Sequence, residues 1–136
     1  MSNITQVVNS DKNMTILKKS VIASGLDKVL SGKGPFTVFA PSDSAFERME
    51  KGVLDTLLKP ENKIKLADLL NYHIVSGKLN LKDLKDGEKL KTINGKELHV
   101  YVKDGHVKIE GAEILNHDLP SSNGVIHSLN AVMTKN

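Results

Sequence analysis

Gly34-Pro35-Phe36-Thr37-Val38-Phe39-Ala40-Pro41-Ser42-Asp43-Ser44-Ala45-Phe46 holds three of the five aromatic residues in the chain. Phe36, Val38 and Ala40 alternate with Thr37, Phe39 and Pro41, and both sets are largely apolar. The run therefore predicts a short strand covered on both faces, at the centre of a core. Pro35 and Pro41 lack a backbone donor and bound the ladder. Ser42 and Asp43 are favoured N-cap residues, and Ser44-Ala45-Phe46-Glu47 has capping-box spacing, so a helix should start within a few residues of the strand.

Upstream, Asn13 reads as an N-cap for an amphipathic helix with Met14, Leu17, Val21 and Ser24 on one face and Lys18 and Lys19 facing outward. Gly25 should stop it, and Leu26 to Leu30 adds a short helical turn. Downstream, Asp43 to Met49 and Val53 to Leu58 predict two short helices, the second ending before Pro60. Glu61 to Asn71 predicts a longer one, with Ile64, Leu66, Leu69 and Leu70 apolar. The period then changes. Tyr72-His73-Ile74-Val75 is β-prone, and Leu81 to Leu84 makes at most one helical turn. Asn94-Gly95 and Asp104-Gly105 stand between alternating apolar runs. Both pairs accept positive φ, so each predicts a two-residue hairpin turn and together they predict an antiparallel meander. Ala112 to Leu115 and Gly124 to Val132 supply two more strands, and Asn116 to Ser122 between them reads as a loop.

At 136 residues the chain predicts one domain with one core. It has no cysteine, which excludes disulfides, thiolate metal sites and a cysteine nucleophile. No leader-like segment opens the chain and no run approaches the roughly 18 apolar residues of a membrane span, so it reads as soluble, as would an exported domain whose signal had been removed. The formal charge is +3, yet of 19 basic residues only Arg48 is arginine. Nucleic-acid recognition draws on arginine forks and stacked aromatics, so no nucleic-acid partner is expected. The lysines read as a solvated surface, with a weak anionic partner as the other reading.

No two of the five histidines have the spacing of a helical metal pair. His99 and His106 flank the Asp104-Gly105 turn and could meet on one face. Ser42, Asp43 and a histidine could imitate a catalytic triad, but capping explains Ser42 and there is neither a Gly-x-Ser-x-Gly elbow nor an oxyanion loop. His127, ending Gly124-Val125-Ile126, reads either as a buried imidazole bonded to backbone or as a functional group; the same choice stands for His73. No catalytic residue, metal ligand or cofactor is assigned.

Three segments together resemble the fasciclin domain family: Phe36 to Phe46, Leu69-Leu70-Asn71-Tyr72-His73-Ile74-Val75-Ser76-Gly77, and Ser122-Asn123-Gly124-Val125-Ile126-His127. They stand in the family's order within one domain length, and the resemblance runs from the first helix to Met133. It implies a single fasciclin-like domain of microbial type over residues 1–136, with an α+β fold in which two β-sheets pack as a wedge and several short helices cover one side. Phe36, Phe39, Pro41, Asp43, Phe46, Asn123, Gly124, Ile126 and His127 match the family's structural motif. The resemblance further implies a non-enzymatic adhesion module, secreted or at the cell surface, whose partner is a protein or glycan of a cell surface or matrix. In animal relatives a Tyr-His pair and an Asp-Ile pair are associated with integrin recognition. Tyr72 and His73 match the first, and Asp118 and Leu119 stand at the second, followed by Pro120. Asn130 stands where the family usually has an acid. Asp118 would offer an acceptor beside the apolar Leu119, or else cap a turn while Leu119 anchors the loop. The alternative function is a small-molecule-binding or hydrolytic protein with a cleft near His73. A deep polar pocket there would support it, and a packed, fully hydrogen-bonded His73 would count against it.

Overall fold

A computed structural model describes residues 2–50 and 52–133. Strand β1 (Phe36–Pro41) lies inside a four-stranded sheet of order β2-β1-β8-β7, completed by β2 (Ile74–Ser76), β7 (Leu119–Ser121) and β8 (Gly124–Leu129). It runs parallel to β8, with Val38 opposite Ile126 and Phe39 opposite His127, and antiparallel to β2. A second sheet is the predicted meander, β3 (Lys89–Lys91), β4 (Glu97–Lys103), β5 (His106–Ile109) and β6 (Ala112–Glu113), in chain order. Single bridges, Val75 to Thr92 and Ile114 to Leu129, join the two sheets.

One expected core is in fact two apolar clusters, because β1 is buried on both faces. Val38 and Ala40 point to a layer of helices: α1 (Ile4–Ser10), α2 (Thr15–Ser24), α3 (Leu26–Val29), α4 (Asp43–Glu47), α5 (Val53–Leu57) and α6 (Lys63–Asn71). Phe39 points the other way, into a cluster between the sheets with Val75, Leu98, Val100, Ile109 and Leu129. The α+β architecture implied by the resemblance is the one formed.

Several local expectations change. Helix α1 follows no predicted element, although Asn3 and Gln6 make a reciprocal capping box and Ile4 and Val8 are buried one turn apart. Asn13 does not cap α2. Asp43 does so from across the chain, its carboxylate accepting from the Ile16 N–H at 2.8 Å and the Thr15 hydroxyl at 2.7 Å. Ser42 alone caps α4, accepting from the Ala45 N–H, so Ser44 and Glu47 form no box. Ile64 is solvent-exposed at the start of α6 rather than on its buried face. Asn94-Gly95 sits in a wider connection closed by the Thr92 N–H to the Lys96 carbonyl. Asp104 and Gly105 both have positive φ and make the expected tight turn, with Lys103 opposite His106. The segment read as a loop contains β7, an edge strand, where Pro120 is tolerated because only one side of the strand needs a ladder.

The third motif segment is a clamp. The Asn123 amide donates to the Leu30 and Gly32 carbonyls at 2.7 and 2.8 Å, its side-chain oxygen accepts from the Ile4 N–H, and its backbone carbonyl accepts from the Phe36 N–H. Gly124 follows because the strands approach too closely for a side chain: a Cβ there would lie 2.0 Å from the Phe36 carbonyl oxygen.

Candidate functional site

Tyr72 and His73 turn the chain from α6 into β2. The His73 Nδ1–H donates to the Leu69 carbonyl at 2.9 Å, and Nε2 accepts from the Met133 N–H at 2.9 Å. The His73 carbonyl accepts from the Phe39 N–H. Both ring nitrogens are thus committed to backbone and the neutral tautomer is set. Burial drives the pKa down to about 4, opposed by the Leu69 carbonyl. Tyr72 meets the His73 ring edge-on at 6.2 Å. Its hydroxyl pKa is raised, first by burial and then by the charge of Glu110. The two side chains are 4% and 2% exposed. The sequence left His73 open between a buried imidazole bonded to backbone and a partner contact; its burial and both ring bonds are those of the first reading, and Tyr72 packs into the core beside it. The void beside His73, about 10 Å³, is lined by apolar side chains such as Val8, Leu17 and Val21. A packed, doubly bonded imidazole beside so small a void counts against a hydrolytic cleft at this position.

Asp118 immediately precedes β7, and Leu119 is that strand's first residue. Asp118 has φ 57°, a left-handed conformation that Asp tolerates better than most residues. Its Oδ1 accepts from the Leu81 N–H at 2.8 Å, and Oδ2 lies 3.1 Å from His117 Nδ1. Burial alone would raise its pKa, but the Leu81 N–H, His117 and His127 together hold the carboxyl below the usual range. Leu119 is half-buried against the helix-side core. Beneath them, the fully buried His127 accepts the Asp118 N–H at Nδ1, 3.1 Å away, and donates from Nε2 to the Leu79 carbonyl at 2.7 Å. Its ring stacks on Phe39. Burial lowers its pKa, against the Leu79 carbonyl and the Asp118 charge. One imidazole therefore fastens the Asp118 loop to the Leu79–Leu81 segment and leaves the Asp118 carboxylate on the surface. Tyr72–His73 and Asp118–Leu119 are separate features: His73 is tied to the Met133 backbone, and Asp118 to the Leu79–Leu81 segment directly and through His127.

Of the motif residues, Phe39, Pro41, Phe46, Asn123, Gly124, Ile126 and His127 are buried, while Phe36 and Asp43 are partly so. His99 and His106 do not pair with each other: each meets a carboxylate, Glu110 and Glu113 respectively, because the register sets His106 opposite Lys103. Among the described residues, no three His, Asp or Glu side chains gather as a metal-binding group, and no helix is long and apolar enough to cross a membrane. Tyr101 is a surface feature that sequence reasoning passed over. The strict alternation of Glu97 to Lys103 places it on the polar face of β4 with His99 and Lys103, which was the available signal.

The fasciclin domain model matches residues 12–135. Protein sll1483 of Synechocystis sp. is 40% identical over 130 residues, spanning 96% of this chain and 72% of the relative. Transforming growth factor-beta-induced protein ig-h3 of Sus scrofa is 34% identical over 134 residues, covering 97% of this chain but only 19% of that longer protein. A solved FAS1 domain pair from the insect cell adhesion molecule Fasciclin I superposes with a TM-score of 0.88 over 98% of this chain and 51% of that one. At 18% identity, that superposition speaks to the fold alone.

Proposed function

This chain belongs to the fasciclin domain family, and from that membership we propose that it is a non-enzymatic binding module, exported or displayed at a cell surface, that recognises a protein or glycan of a surface or matrix. The observation that carries the site is the braced Asp118 loop. An exposed carboxylate is held in a left-handed turn by the Leu81 N–H, with a buried imidazole beneath it and Leu119 set into the core. Such an acceptor is already ordered before a partner arrives, so less side-chain entropy is lost on binding. Tyr72 and His73 serve from inside, fixing the corner that supports Phe39. Membership of a family whose domains occur in adhesion proteins such as ig-h3 supports the adhesion reading over a catalytic one.

The test is adhesion of the purified domain to immobilised cells or matrix extracts. Asp118→Ala with Leu119→Ala, in a variant whose circular dichroism and unfolding cooperativity match the parent, should abolish adhesion. Undiminished adhesion by that folded variant would overturn the assignment of the loop.

A further inference from the structure

Two buried imidazoles are bonded alike and differ in what each holds. His73 and His127 each donate from one ring nitrogen to a carbonyl and accept a backbone N–H at the other. His73 accepts the N–H of Met133, which is itself buried. His127 accepts the N–H of Asp118, whose side chain is on the surface. A proton added to His127 therefore reaches the loop read above as the binding surface.

With Nε2 donating to the Leu79 carbonyl, the ring nitrogen free to take a proton is Nδ1, the atom that accepts from Asp118. Once protonated, Nδ1 is a donor and has no lone pair to offer. Two donors then face each other across 3.1 Å with no acceptor between them. The acceptor at hand is the Asp118 carboxylate, whose Oδ1 lies 4.0 Å from Nδ1 and is bonded to the Leu81 N–H. Drawn to the imidazolium, it leaves Leu81 and turns inward. The change is local. Asn116 stays bonded to Ser128 through both its N–H and its carbonyl, and Leu119 stays paired with Ile126, so only His117 and Asp118 are released.

The strands that flank β8, β1 and β7, contain no ionisable side chain, and β1 brings the Phe39 ring onto the imidazole. Lys78, Lys82 and Asp83, beside the Leu79–Leu81 segment, are exposed. Burial is the largest influence on His127 and disfavours its charged form; the Leu79 carbonyl and the Asp118 charge favour that form, and His117 opposes it. The change therefore falls on the acid side of pH 6.5.

We propose that the Asp118 loop is an acid-released latch: protonation of His127 at Nδ1 breaks its bond to the Asp118 N–H, draws the Asp118 carboxylate inward and so weakens partner binding. The effect on binding rests on the reading of that loop given above; the latch itself does not. By linkage, a partner that occupies the carboxylate holds His127 neutral.

The experiment follows the His127 ring and the Asp118 and Leu81 amides by NMR as the folded domain is taken from pH 7 to the onset of acid unfolding, which circular dichroism marks. All three should titrate together before that onset. His127→Asn keeps an acceptor near the Nδ1 position without the titration, and should leave the Leu81 amide unresponsive. Asp118→Asn removes the charge that favours protonation; it should move the His127 transition to lower pH, and it serves if His127→Asn does not fold. His117→Asn should retain the transition. Adhesion of the parent, measured as above, should fall at least tenfold across the same range, and a folded His127→Asn variant should lose that dependence. Amides that stay fixed until the domain unfolds, a transition abolished by His117→Asn, or one unmoved by Asp118→Asn would overturn the latch. Steady adhesion across the range, in a domain whose folded Asp118→Ala, Leu119→Ala variant does not adhere, would overturn the regulation. Adhesion that survives in that double variant overturns the binding reading and the regulation with it, while the amides still decide the latch.

Discussion

The two sheets of this protein differ in one respect that governs what each can do: the first is dry on both faces and the second is dry on one. In β1 and β8 nearly every side chain is buried, whereas β4 alternates exposed and buried residues through most of its length. A sheet covered on both faces must satisfy every polar group internally, and this one does so with Thr37, His73, Asn123 and His127, each bonded to backbone. Its polar residues are braces. A sheet with a wet face is restricted there only by alternation, and its outward residues are free to take up recognition. The Asp118 loop lies between the two regimes, braced from the dry side and open on the wet one.

The cluster between the sheets is most vulnerable at Phe39. It is fully buried between the sheets and stacks on His127. Phe39→Ala should cost about 3–5 kcal/mol, the usual range for a buried phenylalanine, measured by urea unfolding at neutral pH. A cost below about 1 kcal/mol would show that the inter-sheet cluster does not hold the sheets together.

Acid sharpens the same contrast. The folded-state pKa of His73 is about 4, below its ordinary value of 6.5. The unfolded chain therefore takes up a proton that the folded one refuses. The contribution of His73 is complete above pH 6.5 and is lost as pH falls towards 4, a difference of about 3 kcal/mol. His127 shifts in the same direction. Asp118, held below the usual carboxylate range, adds stability that is lost at still lower pH. Denaturation midpoints between pH 7 and pH 4 should fall steeply, and a folded His73→Asn variant, less stable at pH 7, should show a flatter profile. A flat parent profile would mean that His73 opens to solvent.

What could be read in the sequence follows the same division. Strand β1, the Asp104-Gly105 turn and the period of β4 are local properties, set by residues a few positions apart, and they were legible. The capping-box spacing of Asn3 and Gln6 is a local signal of the same kind. For His73 the sequence left burial and function both open, because the choice turns on the Met133 N–H arriving from far along the chain. The role of Asp43 was not legible, since its spacing suits its own helix but its carboxylate caps α2 instead. Pro120 disguised β7, since a proline argues against a strand until the strand is known to lie at an edge. The outward position of Tyr101 was plain from alternation, but its neighbour Lys108 is set by the register.

The smallest expected effect is therefore the most discriminating. Tyr101→Ala removes a large side chain from a strand, yet more than half of that side chain's residue surface is in water and its cross-strand neighbour is Lys108. Substitutions at such positions stay within about 0.5 kcal/mol. Stability unchanged within that margin, set against several kcal/mol for Phe39→Ala, would establish that the wet face carries no structural duty at this ring. A loss above about 1.5 kcal/mol would mean that Tyr101 packs along the sheet as part of the fold.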